Sequence, residues 1–153
     1  MLSLDSTYEC KIDDKGRVLL PNKLKGELAP FILNGFILKR GVFNNYLELW
    51  PKSEWDKQTV EINKLNRFNR KNVEFIRKFM SGLKQVELDG MGRLLIPKDL
   101  MGFAGIDKDI VMASMIDRIE IWDKARYEAE VNSGQDFSTL AEDVMGHIEN
   151  ETP

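Results

Sequence analysis

Ile12-Asp13-Asp14-Lys15-Gly16-Arg17-Val18-Leu19-Leu20-Pro21 is matched, 76 positions later, by Leu88-Asp89-Gly90-Met91-Gly92-Arg93-Leu94-Leu95-Ile96-Pro97. Asp13 falls on Asp89, Gly16 on Gly92, Arg17 on Arg93 and Pro21 on Pro97. A second match follows 72 positions apart, Leu47-Glu48-Leu49-Trp50 over Ile119-Glu120-Ile121-Trp122, so the first copy carries four extra residues in between. Two ordered matches of this kind are an internal duplication. Within each copy an alternating segment, Tyr8-Cys10-Ile12 or Val86-Leu88, reads as a half-buried strand. Asp13 and Asp89 open a tight turn by accepting backbone N–H groups, and Gly16 and Gly92 supply its positive φ. The arginine follows at the turn's edge with its side chain directed outward. Val18-Leu19-Leu20 and Leu94-Leu95-Ile96 read as strands covered on both faces. Pro21 and Pro97 then start short helices, where a missing N–H is harmless.

Around this pattern the chain reads in order. Helix Asn22–Leu28 has Asn22 as a candidate N-cap and Pro30 as its stop. Phe36–Lys39 and Tyr46–Trp50 form a hairpin about Asn44-Asn45, residues that tolerate left-handed backbone. Helices follow from Trp55 to about Asn66 and from Asn72 to Met80. The second copy repeats the order: helix Lys98–Ala104 stopped by Gly105, then a hairpin through Ile116-Asp117-Arg118. Helices over Lys124–Val131 and from Asp136 onward close the chain, the last with Phe137, Leu140, Val144 and Ile148 at helical spacing. The expected divisions are unit one over 7–53, inter-unit helices over 54–82, unit two over 83–126 and a C-terminal helix and tail over 127–153. The last residues should fray.

At 153 residues and 42% hydrophobic, the chain can bury a core. No apolar run approaches the roughly 18 residues that would span a bilayer. Met1–Asp5 lacks the basic and apolar regions of a signal peptide. The single cysteine, Cys10, sits on the apolar face of a strand, reads as a core residue and fits a reducing cytoplasm. Net charge is −3, but residues 1–80 hold 15 Lys/Arg against 10 Asp/Glu and residues 81–153 hold 7 against 15. Such a polarised chain can offer one basic face to a polyanion.

Chemistry is sparse. With one histidine, His147, expected at the solvent edge of its helix, and one cysteine, no metal constellation of ordinary spacing forms. No phosphate loop, nucleophile elbow or HExxH is present. Asp13 and Asp89 could be pictured as a catalytic pair, but turn formation already accounts for them. The residues point away from an enzyme, a bound cofactor or a small-molecule substrate.

The doubled Asp-x-x-Gly-Arg-(apolar)₃-Pro, followed each time by a Glu-(Leu/Ile)-Trp strand, resembles the MraZ family of bacterial regulators, a tandem duplication of the AbrB/SpoVT-type DNA-binding unit. The resemblance spans nearly the whole chain. It implies an α+β fold with a mainly β core, a double-split (swapped-hairpin) β-barrel made from both repeats with flanking helix pairs. It also implies a cytoplasmic, nucleoid-associated transcription factor. Such a factor would act as a ring-shaped homo-oligomer on direct repeats of double-stranded promoter DNA upstream of the division and cell-wall gene cluster. By motif position the functional residues carried over are Asp13, Arg17, Asp89 and Arg93. The family's Asn-Pro-x-x-Arg-x-x-x-Arg stretch reads Asn69-Arg70-Lys71-Asn72-Val73-Glu74-Phe75-Ile76-Arg77 here, without the proline and first arginine. Ser81 and Leu83 replace the usual Gly and Ala, departures that touch subunit contacts more than the barrel.

The residues alone allow two readings of the arginines. A guanidinium on a rigid turn suits phosphates and guanine edges, because its fork donates two parallel hydrogen bonds. Alternatively each arginine pairs with its own aspartate and only stiffens the turn. The candidate DNA-contacting set is Asp13, Lys15, Gly16 and Arg17 in the first turn and Asp89, Gly92 and Arg93 in the second. Lys15, Lys23 and Lys25 lie near the first turn in sequence and only Lys98 near the second, so if one repeat dominates the contact it should be the first. Phe75, Phe79, Leu140 and Val144 are the candidate oligomer interface. A competing function is a ring-forming adaptor or antitoxin-like partner without DNA contact, since a fold does not decide a function.

Overall fold

The computed structural model describes the backbone of residues 2–151 and the side chains of residues 2–146. The side chains of His147 and Ile148 are not described, and of the end expected to fray, Glu149–Pro153, the backbone is helical through Glu151 while Thr152-Pro153 lie outside the described residues. Eight strands are present among them: β1 Thr7–Lys11, β2 Arg17–Leu19, β3 Phe36–Arg40, β4 Leu47–Pro51, β5 Lys84–Val86, β6 Arg93–Leu95, β7 Asp109–Ser114 and β8 Ile119–Asp123. The helices are α1 Asn22–Leu28, α2 Lys52–Asn63, α3 Arg70–Met80, α4 Lys98–Ala104, α5 Lys124–Val131 and α6 Phe137–Glu151, and a 3₁₀ segment covers Ala29–Asn34.

The repeats do not fold side by side; they exchange strands. A six-stranded antiparallel sheet runs β1-β7-β8-β4-β3-β5, so the first strand of each repeat is added to the hairpin of the other. β2 and β6 form a separate antiparallel ribbon. The register shows a pseudo-twofold axis. In the ribbon Val18 lies opposite Leu94, its own counterpart. At the sheet's centre Glu48 lies opposite Glu120, again its own counterpart. The fold is thus mixed α+β with a mostly antiparallel sheet, and no continuous ladder closes it into a barrel among the described residues.

One hydrophobic core is built from matching residues of both repeats: Leu20 with Ile96, Leu24 with Leu100, Leu28 with Ala104, and Leu49 with Ile121. Neither repeat could bury these side chains alone. β1 is half-buried with Tyr8 and Cys10 turned toward the core, which fits the alternation in the sequence. β4 is buried along its whole length, because a second cluster of Ile37, Trp50 and Trp55, with Phe79 and Leu83, covers its other face.

Several local expectations change. Pro21, not Asn22, is the N-cap of α1, and no side chain caps that end. Asn44 and Asn45 do not take left-handed backbone; among the described residues the only non-glycine with positive φ is Ile116, at 71°. Loop length explains both results. The first hairpin has six residues, 41–46, in which to reverse, whereas the second has four, 115–118. The shorter loop closes through a tight turn in which the Asp117 N–H donates to the Met115 carbonyl at 2.8 Å. Register places Leu38 over Met112, 74 positions apart, so the four extra residues of repeat one divide evenly. Two lie before β3 and two in the hairpin loop.

Candidate nucleic-acid interface

Each repeat's turn is the same small machine. One carboxylate oxygen of Asp13 accepts the Lys15 and Arg17 backbone N–H groups, both at 2.9 Å, and the other accepts Nε of Arg17 at 2.8 Å. Asp89 does the same with the Met91 and Arg93 N–H groups at 2.9 Å and with Nε of Arg93 at 2.7 Å. The Gly16 N–H returns to the Asp13 carbonyl at 3.0 Å, and the Gly92 N–H to that of Asp89 at 2.9 Å. These donors, first the backbone N–H of the arginine, hold both carboxyls below the ordinary aspartate range. Both aspartates are therefore charged at neutral pH.

The pairing of each arginine with its own aspartate is real, yet it engages only Nε. The terminal Nη1 and Nη2 groups have no protein partner among the described residues, so the clamp aims the fork instead of consuming it. The arginine expected to reach freely outward is in fact tethered at its base. Tethering reduces the rotamer entropy lost when the fork meets a ligand.

The glycines have two reasons to be glycines. Gly16 has φ of 84° and Gly92 of 81°. Their carbonyls also accept from the opposite repeat, Ile96 N–H to Gly16 at 2.8 Å and Leu20 N–H to Gly92 at 3.1 Å. A Cβ on Gly16 would stand 2.8 Å from the Ile96 carbonyl oxygen, and one on Gly92 would meet the Lys25 side chain. Gly16→Val and Gly92→Val are each expected to cost about 1–3 kcal/mol from the backbone alone. Thermal melting checks this, and variants that melt with the parent would contradict the turn geometry.

The lysines are not where chain proximity put them. Lys25 lies against Gly92, in the second turn, and its counterpart 76 positions on, Met101, lies against Gly16. Lys15 in the first turn has Met91 as its counterpart in the second. The strand exchange therefore gives each turn one arginine and one lysine: Arg17 with Lys15, and Arg93 with Lys25. Lys23 is paired with Asp5 at 3.2 Å and also donates to Ser6. Asp14 adds a negative charge to the first turn, where the second has Gly90. Nothing in this arrangement favours the first repeat. The exchange of lysine and methionine at both pairs of matched positions was readable from the offset, but only the swapped topology gives it meaning.

A further departure concerns the ribbon. Val18 and Leu94 point into the core, whereas Leu19 and Leu95 are 53% and 55% exposed. The ribbon is covered on one face only, and Arg17, Leu19, Arg93 and Leu95 share the open one.

Of the candidate interface residues, Phe75, Leu140 and Val144 are exposed. Phe79 is different: it stacks on Trp55 at 5.7 Å, and the Lys39 ammonium sits 4.2 Å over its ring. It anchors α3 to its own chain. No helix among the described residues is long and apolar enough to cross a membrane.

A family model matches this chain as two tandem units. The family model described as "MraZ protein, putative antitoxin-like" matches residues 4–78 and again 79–145. The transcriptional regulator MraZ of Christiangramia forsetii is 55% identical over 148 residues, 96% of each chain. That of Flavobacterium psychrophilum is 51% identical over 152 residues, 99% of this chain and 97% of the relative. That of Clostridium tetani is 36% identical over 135 residues, 88% of this chain and 92% of the relative. With its duplicated turn, exchanged strands and near full-length matches, the chain belongs to the MraZ family.

Proposed function

We propose that this chain is a sequence-specific DNA-binding transcriptional regulator that contacts duplex DNA through the ribbon face carrying Arg17 and Arg93. The observation that carries this reading is the pair of forks, each held by Nε on an aspartate and each with two nitrogens open. Asp13 and Asp89 orient the forks, Gly16 and Gly92 let the backbones approach, and Lys15 and Lys25 add phosphate contacts. The printed names of the relatives, transcriptional regulators, support the same reading. We read the exchanged strands and ribbon as the double-split barrel of the AbrB/SpoVT type, with units over 7–53 and 83–126. The targets are repeated promoter elements upstream of the division and cell-wall gene cluster, bound in the cytoplasm at the nucleoid.

The test is the salt dependence of binding to DNA upstream of the chain's own gene. Phosphate neutralisation releases counterions, so log K should fall linearly with log salt at about −0.9 per contact. Binding that does not respond to salt would favour a protein adaptor or antitoxin-like partner.

We further propose a homo-oligomeric ring. A groove lined by Arg40, Phe43, Phe75, Lys78 and Phe103 is apolar and basic, with Phe43 at its rim 94% exposed. The open face of α6, Phe137, Leu140 and Val144, is flanked by the acidic Asp136, Glu142 and Asp143. Contact between two unlike surfaces is heterologous and closes into a ring when its rotation permits. Linked subunits would also raise affinity through effective concentration. Light scattering at micromolar concentration should show a species several times 17.7 kDa. Phe43→Asp or Val144→Asp should shrink it, and a parent that is monomeric would contradict the ring.

A further inference from the structure

We propose that Leu19 and Leu95 are base-reading residues whose side chains meet thymine 5-methyl groups in the major groove. This rests on the DNA-binding reading above. Single exposed leucines are ordinary on a protein surface. These two are not single, because they occupy equivalent positions about the pseudo-twofold axis of the ribbon. Each stands directly across the ladder from an arginine of the other repeat, Leu95 opposite Arg17 and Leu19 opposite Arg93. The open face is thus a checker of two guanidinium groups and two isobutyl groups.

The arginines fix the sign of the partner, and the leucines narrow its chemistry. A phosphate backbone offers apolar side chains nothing. A second copy of the same face would bring Arg17 and Arg93 against like charges. Duplex DNA satisfies both kinds of group in one place: the major groove is wide enough for a two-stranded ribbon, presents guanine O6 and N7 to arginine, and carries thymine methyls as its apolar feature. The minor groove carries no methyl. Side chains two residues apart on a strand are separated by about 6.8 Å, close to two base-pair steps. The thymine read by Leu19 therefore lies about two steps from the base met by Arg17, and Leu95 stands in the same relation to Arg93.

The experiment uses the intact chain and a duplex spanning the protected region upstream of its own gene, made once with thymine and once with deoxyuridine in every thymine position. Each buried methyl is worth about fourfold in affinity, so the parent should prefer the thymine duplex by about tenfold or more. In the double variant Leu19→Ala/Leu95→Ala that preference should collapse toward one, with binding to the uracil duplex little changed. Both side chains are more than half exposed, so the variant should melt close to the parent. Equal binding of the two duplexes by the parent would overturn the assignment while leaving DNA binding intact. A double variant that still prefers thymine, or that loses its oligomeric state, would overturn it as well. Failure of the parent to bind either duplex at low salt would instead remove the DNA-binding reading itself.

Discussion

Arg17→Ala and Arg93→Ala are each expected to weaken binding to upstream DNA by about tenfold to a hundredfold, the range for losing one bidentate base contact. The two losses should be similar. The acidic second half of the sequence argues otherwise, but the turns are armed equally once Lys25 is seen to cross to Gly92. The double variant should lose more than either single one, because the two forks stand on one ribbon face and act on the same stretch of duplex. Neither change touches the core, because neither arginine belongs to its packed clusters. Their loss does free the outer carboxylate oxygen of Asp13 or Asp89, so Lys is the informative second substitution. It keeps a cation but cannot supply the fork, and Arg17→Lys should recover only part of the affinity. Equal retention of affinity in both alanine variants, at matched salt, would remove the site.

The largest expected effect on stability lies on the far side of the sheet. Lys39 is 1% exposed, and its ammonium donates to the Arg40 carbonyl at 2.5 Å and to Glu48 at 3.5 Å. Glu48 also accepts the Trp50 indole N–H at 3.1 Å, and the Arg118 guanidinium lies 3.9 Å away. Burial pushes the Lys39 ammonium below its ordinary range, while the Glu48 carboxylate opposes that shift. Burial also raises the carboxyl of Glu120, which faces Glu48 across the pseudo-twofold axis. Two carboxylates opposed at the centre of a sheet need cations nearby, and Lys39 and Arg118 supply them. Lys39→Ala should therefore cost about 3–5 kcal/mol, the range for stranding one partner of a buried ion pair. Denaturant titration measures it. Lys39→Met with Glu48→Gln, which removes both charges, should cost clearly less than Lys39→Ala. A single variant as stable as the parent would show that the cluster does not hold the sheet's outer layer.

Much of this molecule was legible because the duplication writes its own alignment. The turn residues Asp13, Gly16 and Arg17 belong to a local hydrogen-bonding pattern within Asp13–Arg17, and local patterns survive without tertiary knowledge. The same holds for α1, α4 and the Gly105 stop, with φ of 63°. What the residues alone do not show is which strand sits beside which; the swapped hairpin is expected only from the family resemblance. Alternation gives the face of a strand but not its neighbour, so the exchange of β1 and β5 between repeats leaves no mark in either repeat alone. Lys25 followed its helix across to the other turn for that reason. Leu19 and Leu95 are not visible as open positions in the sequence, because three consecutive apolar residues look the same whether a strand is covered on two faces or on one. An amphipathic stripe does not say which surface it covers, so the sequence does not show that Phe79 packs on Trp55 within the chain.

The central claim is that the ribbon face of Arg17 and Arg93 holds duplex DNA. A footprint of the purified intact chain on the DNA upstream of its own gene tests it most directly. The account predicts regularly spaced protection at low salt that fades as salt rises and disappears in the Arg17→Ala/Arg93→Ala variant. Protection that persists unchanged in that variant, or no protection by the parent at any salt, would contradict it.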